Sequence, residues 1–414
     1  MWLTRARYLA PDGTFGEADI EIDDGAIGRI EPAGSQPSDV DCSGLVVLPG
    51  LVNGHFHSQS TLVRGLEFGY EIFDWFGDSP AGLAQQRVGA WVDDEANAEQ
   101  VAAVVRYEYL TLLRQGVTMV ADCGFGELTP QLLADAGAAV GIRSLPQTYD
   151  DWIEKVADPT GFTVNVESEE DLTAEAVAIA ERYRDAYQPI FALHCLETVR
   201  RRELVVERWD VSTIEVLRRH GLLGPRTVLF HGCEMDAADV AAVAEAGAAV
   251  MHCPVSNLAL HGRIPPAVEW HRAGVTLGLG TDWGDTDMWG TMRAAWLLQQ
   301  REPDRPRRAS PADVLRMASR GGALGYSRDD LGEIAPGRAA DLVLLDADRL
   351  GPSHRDPDTL AWSVLTDGGA AAVRHVLVGG DWALRDGQPT RVDGAAVTAE
   401  YRKIVAELTG SAPS

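Results

Sequence analysis

Lysine is almost missing from this chain. Only Lys155 and Lys403 occur, and arginine supplies the rest of the 36 basic residues. Acidic residues number 62, so the formal net charge is −26. A surface of that sign repels nucleic acid and anionic membranes, which removes both from the expected partners. A neutral or cationic small substrate is compatible with it. Cysteine is scarce too: Cys42, Cys123, Cys195, Cys233 and Cys253 are odd in number and include no CxxC pair. That argues against a disulfide framework and suits a reducing compartment. No stretch of eighteen apolar residues occurs, and "MWLTRARYLAPDG" lacks an apolar signal core. The expectation is a cytoplasmic protein with no membrane partner.

What is present points to a large enzyme-like fold. The 414 residues, 45% of them hydrophobic, exceed one small domain. Residues 1–50 read as short strands, with a hairpin signal at Asp24-Gly25 in "EADIEIDDGAIGRIEP". From residue 51 to 335, apolar runs such as "GVTMVADCG", "PIFALHCLE", "RTVLFHGC" and "VTLGLGTD" alternate with helical patterns. Runs without polar alternation indicate strands buried on both faces, hence a parallel sheet. Seven β/α units are clear, and "GFTVNVE" is the candidate for an eighth strand between residues 148 and 175. The expected class is α/β, a (β/α)8 TIM-like barrel at residues 51–335. Residues 1–50 and 336–414 are expected to combine into a small β-sandwich beside it.

Barrel active sites lie at the carboxyl ends of the strands. Of ten histidines, His55, His57, His194, His231 and His252 fall at or near such ends, and Asp282 closes "LGLGTD". In "GLVNGHFHSQ", His55 and His57 are two apart, so on a strand both face one side. Paired imidazoles suit a divalent metal such as zinc. In "FALHCLET", His194 can ligate, while Glu197 on the following turn can reach a water without ligating. His231 fits either a ligand or a hydrogen-bonding partner of that water, and Asp282 either a ligand or a base. His252 reads as a pocket wall or structural residue.

These residues carry a resemblance. "VVLPGLVNGHFHS", "LHCLET", "LGPRTVLFHGCEMD", "VMHCPVSNLAL", "TLGLGTD" and "LGEIAPGRAADLVLLD" together resemble the amidohydrolase superfamily, in its deaminase and chlorohydrolase branch of cytosine, guanine and S-adenosylhomocysteine deaminases and triazine hydrolases. The resemblance implies one metal, zinc or in some members iron, held by His55, His57, His194 and Asp282. It makes Glu197 the proton shuttle and His231 the group that orients and polarises the attacking hydroxide, with Asp282 also catalytic. Two-metal members of the superfamily use a carbamylated lysine on a barrel strand. Lys155 reads as helix or loop and Lys403 lies in the tail, so one metal is expected. The implied reaction is ammonia release from a small nitrogen heterocycle or an amidine- or guanidine-like carbon, in a homodimer or larger assembly. The alternative is expulsion of chloride or a substituted amine from a similar ring; a non-catalytic scaffold has no use for Glu197. The chain departs from the branch after its last barrel strand, where "TDWGDTDMWG" replaces the usual Gly, Ser and Asn, and S-adenosylhomocysteine deamination draws little support. Gln59, Trp75, Trp283 and Trp289 are the candidate substrate contacts, the indoles as stacking surfaces.

Overall fold

Alternation in the first 32 residues produces three antiparallel strands, β1 (Trp2–Leu9), β2 (Phe15–Asp23) and β3 (Ala26–Pro32). Asp24 and Gly25 both take positive φ in the turn between β2 and β3, as a two-residue hairpin requires. β4 (Val40–Asp41) and β5 (Leu45–Pro49) then pair parallel with β1. The computed structural model describes residues 1–66, 69–70, 72–124, 129–148, 163–300, 309–351 and 357–409. Lys155 lies outside them.

The apolar runs become a second, parallel sheet: β6 (Leu51–His57), β7 (Val117–Asp122), β8 (Arg143–Thr148), β9 (Thr163–Val166), β10 (Ile190–Cys195), β11 (Thr227–His231), β12 (Ala249–His252), β13 (Thr276–Leu279) and β14 (Asp282–Trp283). Every residue of β6, β7, β10, β11 and β12 is buried, which explains why these strands show no alternation. β9 falls within "GFTVNVE". The sheet runs from β13 through β12 down to β6 and then β14. Only Gly280 and Thr281 separate β13 from β14, the two ends of that row. Asn53 stitches the ends together: its side chain donates to Thr281 Oγ1 at 2.8 Å and accepts from the Thr281 N–H at 3.1 Å. The architecture is a TIM-barrel-like α/β fold.

The chain then returns to the first sheet with β15 (Leu342–Asp346), β16 (Val373–Val378), β17 (Asp381–Arg385) and β18 (Gln388–Pro389). β15 pairs antiparallel with β5, so the two chain ends meet. They do so in one hydrogen-bonded sheet, ordered β18-β17-β16-β15-β5-β1-β2-β3, rather than in the two separate sheets of a sandwich. Leu3, Ile20, Val47, Leu342 and Leu377 from five of its strands share one core. The helix Gly394–Thr409, which the sequence places with the β region, packs instead on the helix Ala98–Leu113: Tyr401 stacks on Tyr107 at 3.8 Å, and Ile404 meets Ala103 and Val104. No helix among the described residues is long and apolar enough to cross a membrane.

Candidate metal and catalytic centre

β6 delivers His55 and His57 to one point because both side chains leave the same face of a strand. His194 arrives at the end of β10, His231 at the end of β11 and Asp282 at the start of β14. Asp282 Oδ1 lies 3.0 Å from His55 Nε2 and 3.5 Å from His57 Nε2. His57 Nε2 and His194 Nε2 face each other at 3.2 Å. Ligand atoms of His55, His194, His231 and Asp282 all lie within 4.8 Å of one another. Each of these residues is buried. His231 and Asp282 both sit at positive φ, as do Gln59 and Leu196 beside them. Such backbone costs on the order of 1–3 kcal/mol per residue and collects where function demands it.

The remaining nitrogens and oxygens are engaged from behind. His194 Nδ1 is 2.5 Å from the Glu167 carbonyl, and His231 Nδ1 is 2.8 Å from Asn257 Oδ1. The Ser256 hydroxyl donates to Asp282 Oδ2. Phe230 stacks on the His55 ring at 3.8 Å. Burial, then the neighbouring imidazoles, push His57 down to about 3 and His194 well below its ordinary value. Burial also lowers His55. For Asp282 burial opposes ionisation, but the imidazoles of His55 and His231 reverse that and hold its carboxyl well below the usual range.

A metal fits this donor set. Nε2 of His57 and Nε2 of His194 face each other across 3.2 Å, with Nδ1 of His194 turned to the Glu167 carbonyl. Such a spacing suits two imidazole nitrogens that share one cation. Two nitrogens each 2.0–2.1 Å from a common tetrahedral centre stand roughly 3.3 Å apart. Backing hydrogen bonds of the kind made by His194 and His231 fix the tautomer and ring orientation of metal-binding imidazoles.

Glu197 stands beside this cluster. Its Oε1 is 3.6 Å from His231 Nε2, and its Oε2 accepts from Arg201. A cavity of about 40 Å³ opens here, bordered by His57, His194, Glu197, Asp282, Trp75 and Trp283 among others. Trp75 and Trp283 meet edge to face at 4.9 Å, and Phe76 packs on Trp75 at 4.6 Å. A larger cavity of about 460 Å³ lies at the amino ends of β10 and β11, away from these groups.

His55, His57, His194, Glu197, His231 and Asp282 are thus brought together, with Trp75 and Trp283 on the cavity wall. Two expected contacts, Trp289 and Gln59, are not among the residues that border the described cavity. Trp289 is buried in the main core, its indole N–H donating to the Gln115 carbonyl at 3.0 Å. Gln59 is buried, its backbone N–H held by Glu108 at 2.9 Å and its side-chain oxygen accepting from Ser58. His252 is also buried, and neither ring nitrogen has a hydrogen-bond partner among the described residues. Sequence reasoning missed Ser256 and Asn257, although two polar residues in the apolar stretch "CPVSNLAL" were a visible signal. It missed Arg201, which a charge run "VRRRE" hides.

A sequence profile of the amidohydrolase family matches residues 46–383. The chain belongs to that family. This amidohydrolase is 30% identical to the 5-methylthioadenosine/S-adenosylhomocysteine deaminase of Natronomonas pharaonis, over 99% of its own length and 98% of the relative's. It is 29% identical to the 8-oxoguanine deaminase of Pseudomonas aeruginosa, over 96% of each chain. Its fold matches a zinc-bound adenosine deaminase from Xanthomonas campestris with a TM-score of 0.86, at 24% identity, over 99% and 98% of the two chains. Amidohydrolases depend on a divalent metal, and this member is a hydrolase of C–N bonds.

Proposed function

We propose that this amidohydrolase releases ammonia from a small, planar, neutral or cationic nitrogen heterocycle, with one divalent ion, zinc in preference to iron, held by His55, His57, His194 and Asp282. Residues 51–335 form the catalytic unit in this reading. The observation that carries it is Glu197: a buried carboxylate on the cavity wall beside the histidine–aspartate cluster, placed to move a proton. Relatives named for deaminating 5-methylthioadenosine, S-adenosylhomocysteine and 8-oxoguanine support ammonia as the product. Trp75, Phe76 and Trp283 favour a flat ring. The one cationic side chain among the described cavity residues, Arg201, is already paired with Glu197 and Glu170, which favours a substrate without negative charge.

When bound, the ion supplies Lewis acidity and makes hydroxide available near neutral pH. Glu197 takes a proton from water at Oε1 and later delivers it to the departing nitrogen, which leaves as ammonia. His231, with Nδ1 bonded to Asn257, directs Nε2 inward and orients the attacking oxygen. Ser256 holds Asp282 in the rotamer that faces His55 and His57. Trp283 and Trp75 hold the ring and keep bulk water from it.

An ammonia-release screen over purines, pyrimidines, pterins, triazines and guanidino compounds, run with zinc-loaded and iron-loaded protein, tests the reading. Glu197→Gln should keep its metal and lose roughly 10²–10⁴-fold in rate. Loss of metal from that variant, or turnover at the wild-type rate, refutes the assigned role.

A further inference from the structure

Arg201 stands four residues after Glu197 in the helix Val199–Trp209, whose first turn is capped by Thr198. Its side chain is 6% exposed and that of Glu197 is 4%. Nη1 donates to Glu197 Oε2, and Nε donates to Glu170 Oε1 at 3.1 Å. Glu170 belongs to "VESEEDL", the acidic segment that follows β9. One guanidinium therefore ties the loop after β9 to the carboxylate beside the histidine cluster.

A carboxylate that carries protons must present one oxygen in a fixed direction, and a glutamate side chain has several torsions to hold. The contact to Oε2 takes up one oxygen and leaves Oε1 on the side of His231, 3.6 Å from its Nε2. A guanidinium spreads its donors over a rigid plane, so it can engage two carboxylates at once; an ammonium is a point charge on a flexible stem.

We infer that Arg201 is the positioning residue of Glu197, fixing the rotamer in which Oε1 faces the reacting atoms. This rests on the reading of Glu197 as the proton carrier. Arg201 does not touch the reacting atoms itself.

The test combines crystallography with kinetics on metal-loaded full-length protein. In crystals of Arg201→Gln, Glu197 should leave its present rotamer and Oε1 should move away from His231 Nε2. With the heterocycle found by the ammonia-release screen, kcat of Arg201→Gln should fall by about 10²-fold, the scale of a 1 Å misplacement, while KM changes less than about threefold. Arg201→Lys keeps a buried positive charge and guards against misfolding of the first variant; it should recover part of kcat without reaching the wild-type value. In a Glu197→Gln background, Arg201→Gln should cost nothing further. The inference is overturned if Glu197 keeps its rotamer in Arg201→Gln, if Arg201→Lys turns over at the wild-type rate, or if the loss persists undiminished in the Glu197→Gln background, which marks a purely structural role. Failure of the underlying reading looks different: Glu197→Gln alone would then be fully active.

Discussion

Trp283 borders two spaces. One is the cavity against His57 and Glu197; the other is a neighbouring cavity of about 180 Å³ lined by Arg64, Ser256, Leu260 and Asp285. Its ring centroid is 5.3 Å from that of His57. Removing the indole takes away a stacking surface and merges the two spaces. Trp283→Ala should raise KM for the ring roughly 2–12-fold, the equivalent of 0.5–1.5 kcal/mol, with a smaller change in kcat. It should also admit rings with bulkier substituents; unchanged KM and an unchanged substrate range would show that the indole only packs. Trp283 and Trp289 look alike in sequence, both in the segment after Asp282. The helix that starts at Met288 turns one of them into the core, and six residues of spacing do not reveal which. The histidines were legible because strand periodicity fixes their direction. The groups behind them, Glu167, Ser256 and Asn257, act through contacts between elements remote in sequence.

Strand β6 carries two imidazoles on one face, and its neighbour at Gly280 has no side chain. A Cβ there would stand 2.6 Å from His55 Cβ and 2.9 Å from the His55 backbone N and O. Gly280→Ala must push β6 aside or distort the turn between β13 and β14. The expected result is a loss of about 1–3 kcal/mol in stability from overpacking, together with lower metal content after dialysis, measured by elemental analysis. Full metal retention at unchanged stability would show that the strand gives way without disturbing His55. "LGLGTD" reads as one strand closed by Asp282, whereas the strand ends at Leu279 and Asp282 opens β14; nothing in the run marks Gly280 as the place where two strands close on each other. β9 was legible only as a weak apolar run, because four residues give little periodicity to count.

At the scale of the whole molecule, an ion pair joins the parallel sheet to the mixed one. Arg143 on β8 grips Asp341 through Nε and Nη2 at 2.9 and 3.0 Å. Asp341 also accepts the Gly379 N–H at 2.7 Å, and its carbonyl accepts from Gly50. Its side chain is 1% exposed, and that of Arg143 is 30%. Asp341→Ala leaves a half-buried guanidinium unpaired and should cost about 3 kcal/mol, the lower end for breaking a buried pair. A shift in the urea midpoint at constant slope measures it; an unmoved midpoint would mean that the pair is exchanged for water without loss. The terminal sheet was legible as strands and turns. Its continuity was not, since pairing of β15 with β5 joins residues nearly 300 positions apart.

That same wide separation sets a clock on biosynthesis. The HxH pair is made early, at residues 55 and 57, but Asp282 follows more than two hundred residues later. At about 5–20 residues per second, the ribosome needs on the order of tens of seconds to span that gap. His194 joins the pair part-way through that interval, and the carboxylate of the proposed set comes last. On the proposed ligand set, the ion is delivered to a chain already long, and what reaches the early histidines first must be able to leave again.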